Sequence, residues 1–347
     1  MRKYLTKLSY TVFPLWLFFV GMAIYLWAIN DNSGDLMRLG LIDSGPEYTD
    51  SITRTLLPTV AYEGVDADSV LLADTCDVVV IGDSFSHGGG VGKEGDFVNY
   101  LAHESGRRVV VYTPQDPSVA NPMQVAYDAL NLGIIDSSNV KNLVVQEGER
   151  YLVPRHSSFV TTHTTMPHSK PRHNVSTELA KEESSPLLRV KDFLFYHLFG
   201  KNPIYTVDLD RDLFGGLEPR KLYFYYEDVE PDKGFDITPA QQRLITGCFD
   251  KVLAKAKEKG VNLVIVVACD KYDLYQDFIV ENPYPPKTLN EDIERWMHGE
   301  LDHFVLAKQV LYPHVSAGVK DVFLFNDTHW SPWSSRIIAA EVMSRLD

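Results

Sequence analysis

Three side chains in this sequence are of the types that acyl-transfer and hydrolytic chemistry use together. Ser84 ends the run Gly82-Asp83-Ser84, and Asp327 and His329 stand two positions apart near the C-terminus. A serine hydroxyl is a weak nucleophile near neutral pH; it needs a base to take its proton, and the base needs a group to orient it. His329 is the candidate base. Asp327, close enough to share its loop, is the candidate orienting carboxylate. Gly88, Gly89, Gly90 and Gly92 follow the serine, and a glycine-rich turn lets backbone N–H groups point at an oxyanion at little steric cost. Each piece alone has a plainer reading. Most Gly-Asp-Ser runs are turns, and Asp-x-His also serves as a helix cap or half of a metal site.

Placement decides between these readings. Residues 77–81 (DVVVI) are a short apolar run suited to a strand buried on both faces, and they lead directly into Gly82-Asp83-Ser84. Residues 108–112, 142–146, 262–268 and 321–325 read as four further buried strands. Helices are expected between them. One covers 95–105 and is closed by Gly106, and one is opened by Asn121 and Pro122 and ends near Gly133. Another starts at a Thr238/Gln241 capping box and is closed by Gly260; two more cover about 290–310 and 332–346. This alternation predicts an α/β fold, a doubly wound, mainly parallel five-stranded sheet of flavodoxin-like type. Ligands bind such sheets beyond the C-terminal ends of the strands. The polar signals fall there: Ser84 after the first strand, Gln146-Glu147 after the third, Asp270-Lys271 after the fourth, and Asp327-Thr328-His329 after the fifth.

Other residues are weaker candidates. Gln115 and Gln146 follow strand ends and are candidate amide donors to an oxyanion. Arg150 suits a carboxylate on an acidic sugar, and equally a structural ion pair. Lys271 and Tyr275 either line the pocket or pack beneath it. Trp330 is a sugar-stacking platform or, as favoured here, the apolar support of His329. Asp83 reads as a turn residue rather than a reactant, and His87 as structural or solvent-facing. His163, His168 and His173 are spaced as in a loop rather than a metal site; neither a metal nor a cofactor is expected.

Length and composition frame these expectations. A chain of 347 residues fits one large α/β domain with an insertion. The expected organisation is a cytoplasmic tip and membrane anchor over 1–30, a linker and irregular lead-in over 31–75, and a catalytic domain over 76–347. An insertion at about 151–235 interrupts that domain. A formal net charge of −14 argues against a nucleic-acid partner. Cys76, Cys248 and Cys269 are too few for a disulfide framework and have no metal-site spacing; they read as packing residues or free thiols. Residues 11–29 carry no charge, and at about 1.5 Å per residue they nearly span the hydrocarbon core. Arg2, Lys3 and Lys7 precede this run, and Asp31 and Asp35 follow it. The asymmetry places the N-terminus in the cytoplasm and the rest outside, on a single-pass anchor. A cleaved signal peptide is the competing reading; the missing Ala-x-Ala and the length of the run speak against it.

On these residues the chain resembles the SGNH/GDSL hydrolase superfamily, and most closely the alginate O-acetyltransferase group of the AlgJ/AlgX type. The stretches that carry the resemblance are GDSFS at 82–86, VVQEGERYL at 144–152, DKYDLY at 270–275 and NDTHW at 326–330. They span roughly residues 76–347, with the insertion unmatched. Two features depart from the pattern. In the alginate enzymes the Asp-x-His block precedes the serine block, whereas here it follows; and the oxyanion Gly and Asn blocks of the superfamily are not clear here. The resemblance implies an SGNH-type serine acyltransferase with Ser84, Asp327 and His329 as its triad. It would transfer an acyl group, acetyl by analogy, to a cell-surface or exported polysaccharide in the periplasm or its equivalent. It also implies a multi-pass membrane acyltransferase as the partner that delivers the acyl group. A carbohydrate O-acetyl esterase and a non-catalytic glycan-assembly subunit remain as alternatives.

Overall fold

Four near-continuous apolar runs build the centre of the molecule. The computed structural model describes residues 2–30, 34–36, 56–65, 75–112, 121–163, 199, 203–215, 218–230 and 234–347. Strands β1 (Glu63–Val65), β2 (Cys76–Ile81), β3 (Val109–Tyr112) and β4 (Val140–Gly148) come first. A hairpin of β5 (Ile204–Asp208) and β6 (Lys221–Tyr225) follows, then β7 (Asn262–Ala268) and β8 (Phe304–Leu306). Six of these strands form one sheet in the order β1-β3-β2-β4-β7-β8, and every neighbouring pair in it is parallel.

The period of the strands divides their side chains between two cores. Val78 and Val80 of β2 pack into one cluster with Val144, Val264 and Val266, while Val79 and Ile81 face the other with Leu143, Val145 and Ile265. All of these are fully buried, and burying each aliphatic side chain contributes roughly 1.5–3 kcal/mol. The sheet is therefore covered on both faces, as the apolar runs predict.

The helices start and stop where their capping residues say. Thr238 and Gln241 form the reciprocal capping box that opens Pro239–Lys259, and Gly260 closes that helix at φ 67°. Asn121 accepts from the Gln124 N–H ahead of Pro122, and Gly106 ends Phe97–Ser105 at φ 64°.

The sheet differs from expectation at both edges. The run 321–325 is buried throughout but is not a strand; Phe323 makes only an isolated bridge to Trp330. Burial on all sides, not sheet pairing, explains its apolar character, and periodicity cannot tell the two apart. The edge strand is instead β8, inside the region expected to be one helix over 290–310. That region splits into Leu289–Trp296, β8 and Ala307–Ser316. On the other side β1, within the expected irregular lead-in, pairs with β3 and extends the sheet to six strands rather than five. Residues Arg2–Asn30 form a helix containing Pro14, and most of its described apolar side chains, among them Val12, Phe13, Leu15 and Trp16, are exposed. Among the described residues no helix is long and apolar enough to cross a membrane.

The winding of the sheet matters most for the site. From β2 the chain steps outward to β3 and then crosses back to β4 on the other side of β2. The direction of winding reverses between β2 and β4, which opens a crevice beyond their C-terminal ends. Ser84 leaves the sheet at that point.

Candidate active site

The turn after β2 is held from below by β4. The Asp83 carboxylate accepts from the Phe85 N–H at 3.3 Å and from the Gly148 N–H at 3.1 Å, which ties the turn to the end of β4. The Gln146 side-chain oxygen accepts from the Asp83 N–H at 3.1 Å and the Ser86 hydroxyl at 2.9 Å. A Cβ at Gly82 would stand 2.7 Å from that oxygen, so only glycine fits this packing. The short 3-10 turn Ser84–Ser86 buries Phe85 and Ser86 and leaves the Ser84 side chain exposed.

His329 and Asp327 reach Ser84 from a lasso of chain between Val322 and Ser331. The Ser331 N–H donates to the Val322 carbonyl and the Leu324 N–H to the His329 carbonyl, both at 3.0 Å, which closes the lasso. Lys271 fills its middle. The ammonium group is fully buried and donates to the carbonyls of Leu324, Phe325 and Asp327 at 2.7, 2.8 and 3.2 Å. Tyr275 stands beneath, its hydroxyl accepting from the Phe323 N–H at 3.1 Å. Trp330, 1% exposed, packs its ring 4.6 Å from Phe85, whose own ring lies 4.6 Å from the His329 imidazole.

The result is a continuous hydrogen-bonded line. His329 Nε2 lies 2.7 Å from Ser84 Oγ, and Nδ1 lies 2.5 Å from Asp327 Oδ1. A carboxylate only accepts, so Nδ1 carries the ring proton and Nε2 is left to accept from the serine hydroxyl. Burial alone would depress the imidazole, but attraction to Asp327, its hydrogen bond and then Asp35 outweigh this and hold His329 above its usual 6.5. Burial would raise Asp327; the partnership with His329 outweighs it and holds the carboxyl below its usual value. Burial dominates at Lys271 and pushes it down to about 7, against the pull of Asp327 and Asp35.

Among the glycines after Ser84, Gly89 and Gly90 allow close approach of the loop to His329 and Asp327. The Gly89 N–H donates to the Ser84 carbonyl at 2.8 Å and the Gly92 N–H to the Gly88 carbonyl at 2.8 Å, so these donors are already used. A Cβ at Gly89 would collide with His329 Nε2, and one at Gly90 would lie 2.7 Å from the Asp327 carboxyl carbon. The Ser84 N–H has no hydrogen bond among the described residues and remains the backbone donor at the nucleophile.

The weaker candidates sort differently from the triad residues. Gln115 lies outside the described residues. Gln146 commits its oxygen to the turn, and its amide nitrogen is buried with no hydrogen-bond partner among the described residues. Arg150 is 6% exposed and forms buried ion pairs with Asp228 at 3.0 Å and Asp270 at 2.7 Å. Lys271 and Tyr275 support the lasso and do not line a pocket, and Trp330 is too buried to stack on a sugar. His87 Nε2 lies 3.0 Å from the Gly82 carbonyl. His163 pairs with Asp128 at 2.8 Å, while His168 and His173 lie outside the described residues.

Sequence reasoning missed Asp35. Its N–H donates to Asp327 Oδ2 at 2.9 Å, and its carboxylate accepts from the Thr328 N–H at 2.7 Å and from the Thr328 hydroxyl. No local signal marks it, because its partners lie almost the whole chain away. Asp35, Asp327 and His329 place ligating atoms within 4.8 Å of one another. Both ring nitrogens are already engaged, however, so this closeness is that of a hydrogen-bonded network.

Comparison with known proteins agrees with the resemblance read from the motifs. No curated protein matches the chain significantly. A solved structure, described as an inferred lipolytic protein of the G-D-S-L family from Desulfitobacterium hafniense DCB-2, aligns over 78% of this chain and 99% of its own. Identity is 12% and the TM-score 0.38, too low to support an argument. Residues 218–347, which hold Lys271, Asp327 and His329 but not Ser84, match the family described as an SGNH hydrolase-like domain, acetyltransferase AlgX, and it is this part of the SGNH/GDSL superfamily that the chain resembles.

Proposed function

We propose that the protein is a serine-dependent O-acyltransferase, with acetyl as the acyl group and a polysaccharide hydroxyl as the acceptor. The observation that carries this reading is an exposed Ser84 in line with a buried base and carboxylate, 2.7 and 2.5 Å apart at successive contacts. In the first half-reaction Ser84 Oγ attacks the acyl carbonyl while His329 Nε2 takes the hydroxyl proton. The Ser84 N–H donates to the oxyanion of the tetrahedral intermediate. Collapse breaks the bond to the leaving group, which receives the proton from His329, and leaves an ester on Ser84. In the second half a sugar hydroxyl gives its proton to His329 and attacks that ester; the proton then returns to Ser84 Oγ. Asp327 holds the imidazole in the tautomer both halves need.

Transfer rather than hydrolysis rests on the acetyltransferase description of the matching family. The polysaccharide acceptor, the extracytoplasmic location and the membrane partner that supplies the acyl group rest on the motif resemblance. The basic residues Arg2, Lys3 and Lys7 ahead of an uncharged run are consistent with that location. The test is a paired assay with an acetyl ester as donor, with and without O-deacetylated acceptor glycan. Acetyl groups appearing on the glycan faster than free acetate, and lost in Ser84→Ala, support the transferase. Free acetate alone makes the protein an esterase, and no Ser84-dependent turnover makes it a non-catalytic subunit.

A further inference from the structure

The chain just beyond the N-terminal helix, read from the sequence as the start of a linker, meets the lasso at the residues that orient the imidazole. Gly34 packs so closely against Asn326 that a Cβ would strike the Asn326 carbonyl oxygen. The Leu36 N–H donates to that same carbonyl at 3.1 Å, and the Leu36 side chain is fully buried in the core cluster that also holds Trp330. Asp35, between them, reaches both halves of the Asp327–His329 unit.

We propose that Asp35 is a positioning residue of the active site, holding Asp327 through its backbone and favouring the protonated form of His329 through its carboxylate. The inference rests on the reading of Ser84, His329 and Asp327 as a catalytic triad.

Two separate contacts carry it. His329 occupies Asp327 Oδ1 with both its ring and its own N–H, the latter at 3.1 Å. The other oxygen, Oδ2, receives the Asp35 N–H at 2.9 Å, so this backbone donor sets the rotation of the carboxylate that orients the base. The Asp35 carboxylate, held by Thr328, then lies 3.8 Å from His329 Nδ1. It is a second negative charge on the side of the ring away from Ser84.

The charge balance gives this a catalytic sense. The charged groups facing the imidazole are Asp327, Asp35 and, near Ser84, Asp83; Lys271 faces Asp327 from below. Asp327 and Asp35 set two carboxylates against Nδ1, at 2.5 and 3.8 Å, so the ring gains attraction to both when it takes the Ser84 proton at Nε2. An arrangement that is better satisfied by imidazolium than by imidazole stabilises the transition state more than the resting enzyme.

The experiment combines an NMR titration of the His329 ring with steady-state kinetics on an acetyl ester, using the full chain with labelled histidine. Asp35→Asn removes the charge and leaves the backbone donor in place; its one side-chain oxygen can still accept from the Thr328 N–H, while its NH2 faces the Thr328 hydroxyl, which can turn to accept. The expected result is a His329 titration moved to lower pH, with kcat reduced about tenfold and KM unchanged. Asp35→Ala also removes the Thr328 contacts and should lower kcat further; if it fails to fold, the asparagine variant still decides. A His329 titration and kcat identical to wild type in Asp35→Asn would overturn the proposal and leave Asp35 as a structural clip. Turnover that survives Ser84→Ala would overturn the triad instead, and the NMR titration separates that failure from this one because it needs no turnover.

Discussion

Two buried clusters of charge lie beyond the C-terminal ends of the strands, and they differ in what faces them. One is built around Lys271 and ends in His329, whose Nε2 meets an exposed serine. The other is built around Lys287, which bonds Asp270 and, at 2.8 Å, Glu149. Arg150 extends it to Asp228 at 3.0 Å, and Lys308 binds Asp273 at 2.7 Å nearby. Attraction to Asp270 and Glu149 outweighs burial at Lys287 and holds it charged, above its usual range. Every cation in this second group is matched to a carboxylate inside the protein. It knits the ends of β4 and β7 to the segment after β6. Burial of charge is thus common to both clusters; only the first presents a reactive atom to solvent.

The comparison predicts that substitutions in the first cluster lower turnover and those in the second lower stability. Ser84→Ala should reduce kcat on an acetyl ester by on the order of 10³-fold or more, with the melting temperature unchanged. A variant that melts early would show that Ser84 is structural. Lys287→Ala strips the shared cation from Glu149 and Asp270, and breaking a buried pair in this way costs about 3–5 kcal/mol. The loss is read from the denaturant midpoint. The fraction that remains folded should keep its wild-type kcat, and a kcat loss at full stability would erase the distinction between the clusters. Gly89→Ala tests close approach, since the added methyl meets His329 Nε2. A displacement of about 1 Å costs on the order of 10²-fold in kcat, and a smaller effect would mean that the loop yields.

The mildest probe is pH. The base must be neutral to take the serine proton, so kcat/KM falls as pH falls through the His329 titration. Because His329 is held above its usual 6.5, the acid limb should lie above that value. A limb below 6.5 would mean that the carboxylates do not act on the ring as their positions imply. The second cluster has no such link to rate, and its substitutions should leave the limb in place.

The central strands were legible because each is a short apolar run ended by polar residues, and β7 spans the predicted 262–268. The cap residues Thr238, Asn121, Gly106 and Gly260 set helix ends as written, since caps act through bonds only a few residues long. The edges were not legible. β8 has three residues and β1 has three, too few for a period to show. Residues 321–325 carry a strand-like pattern because burial on every side demands apolar residues whatever the backbone does. The assignments of Arg150, Lys271, Tyr275 and Trp330 turned on which way a polar or aromatic tip points. Spacing along the chain contains no information about that.

Ser84, Asp327 and His329 were evident from residue type and their place after apolar runs, because a nucleophile, base and carboxylate at strand ends of a parallel sheet converge on one edge. Local sequence determined that much, together with the capped helices and the two-faced sheet. Tertiary structure alone decided what holds those three residues still: Lys271 inside the lasso, the glycines pressed against the imidazole, and Asp35 bonded to Asp327 from the other end of the chain. Those contacts join residues far apart in sequence, and their energies depend on distances that only the folded packing sets.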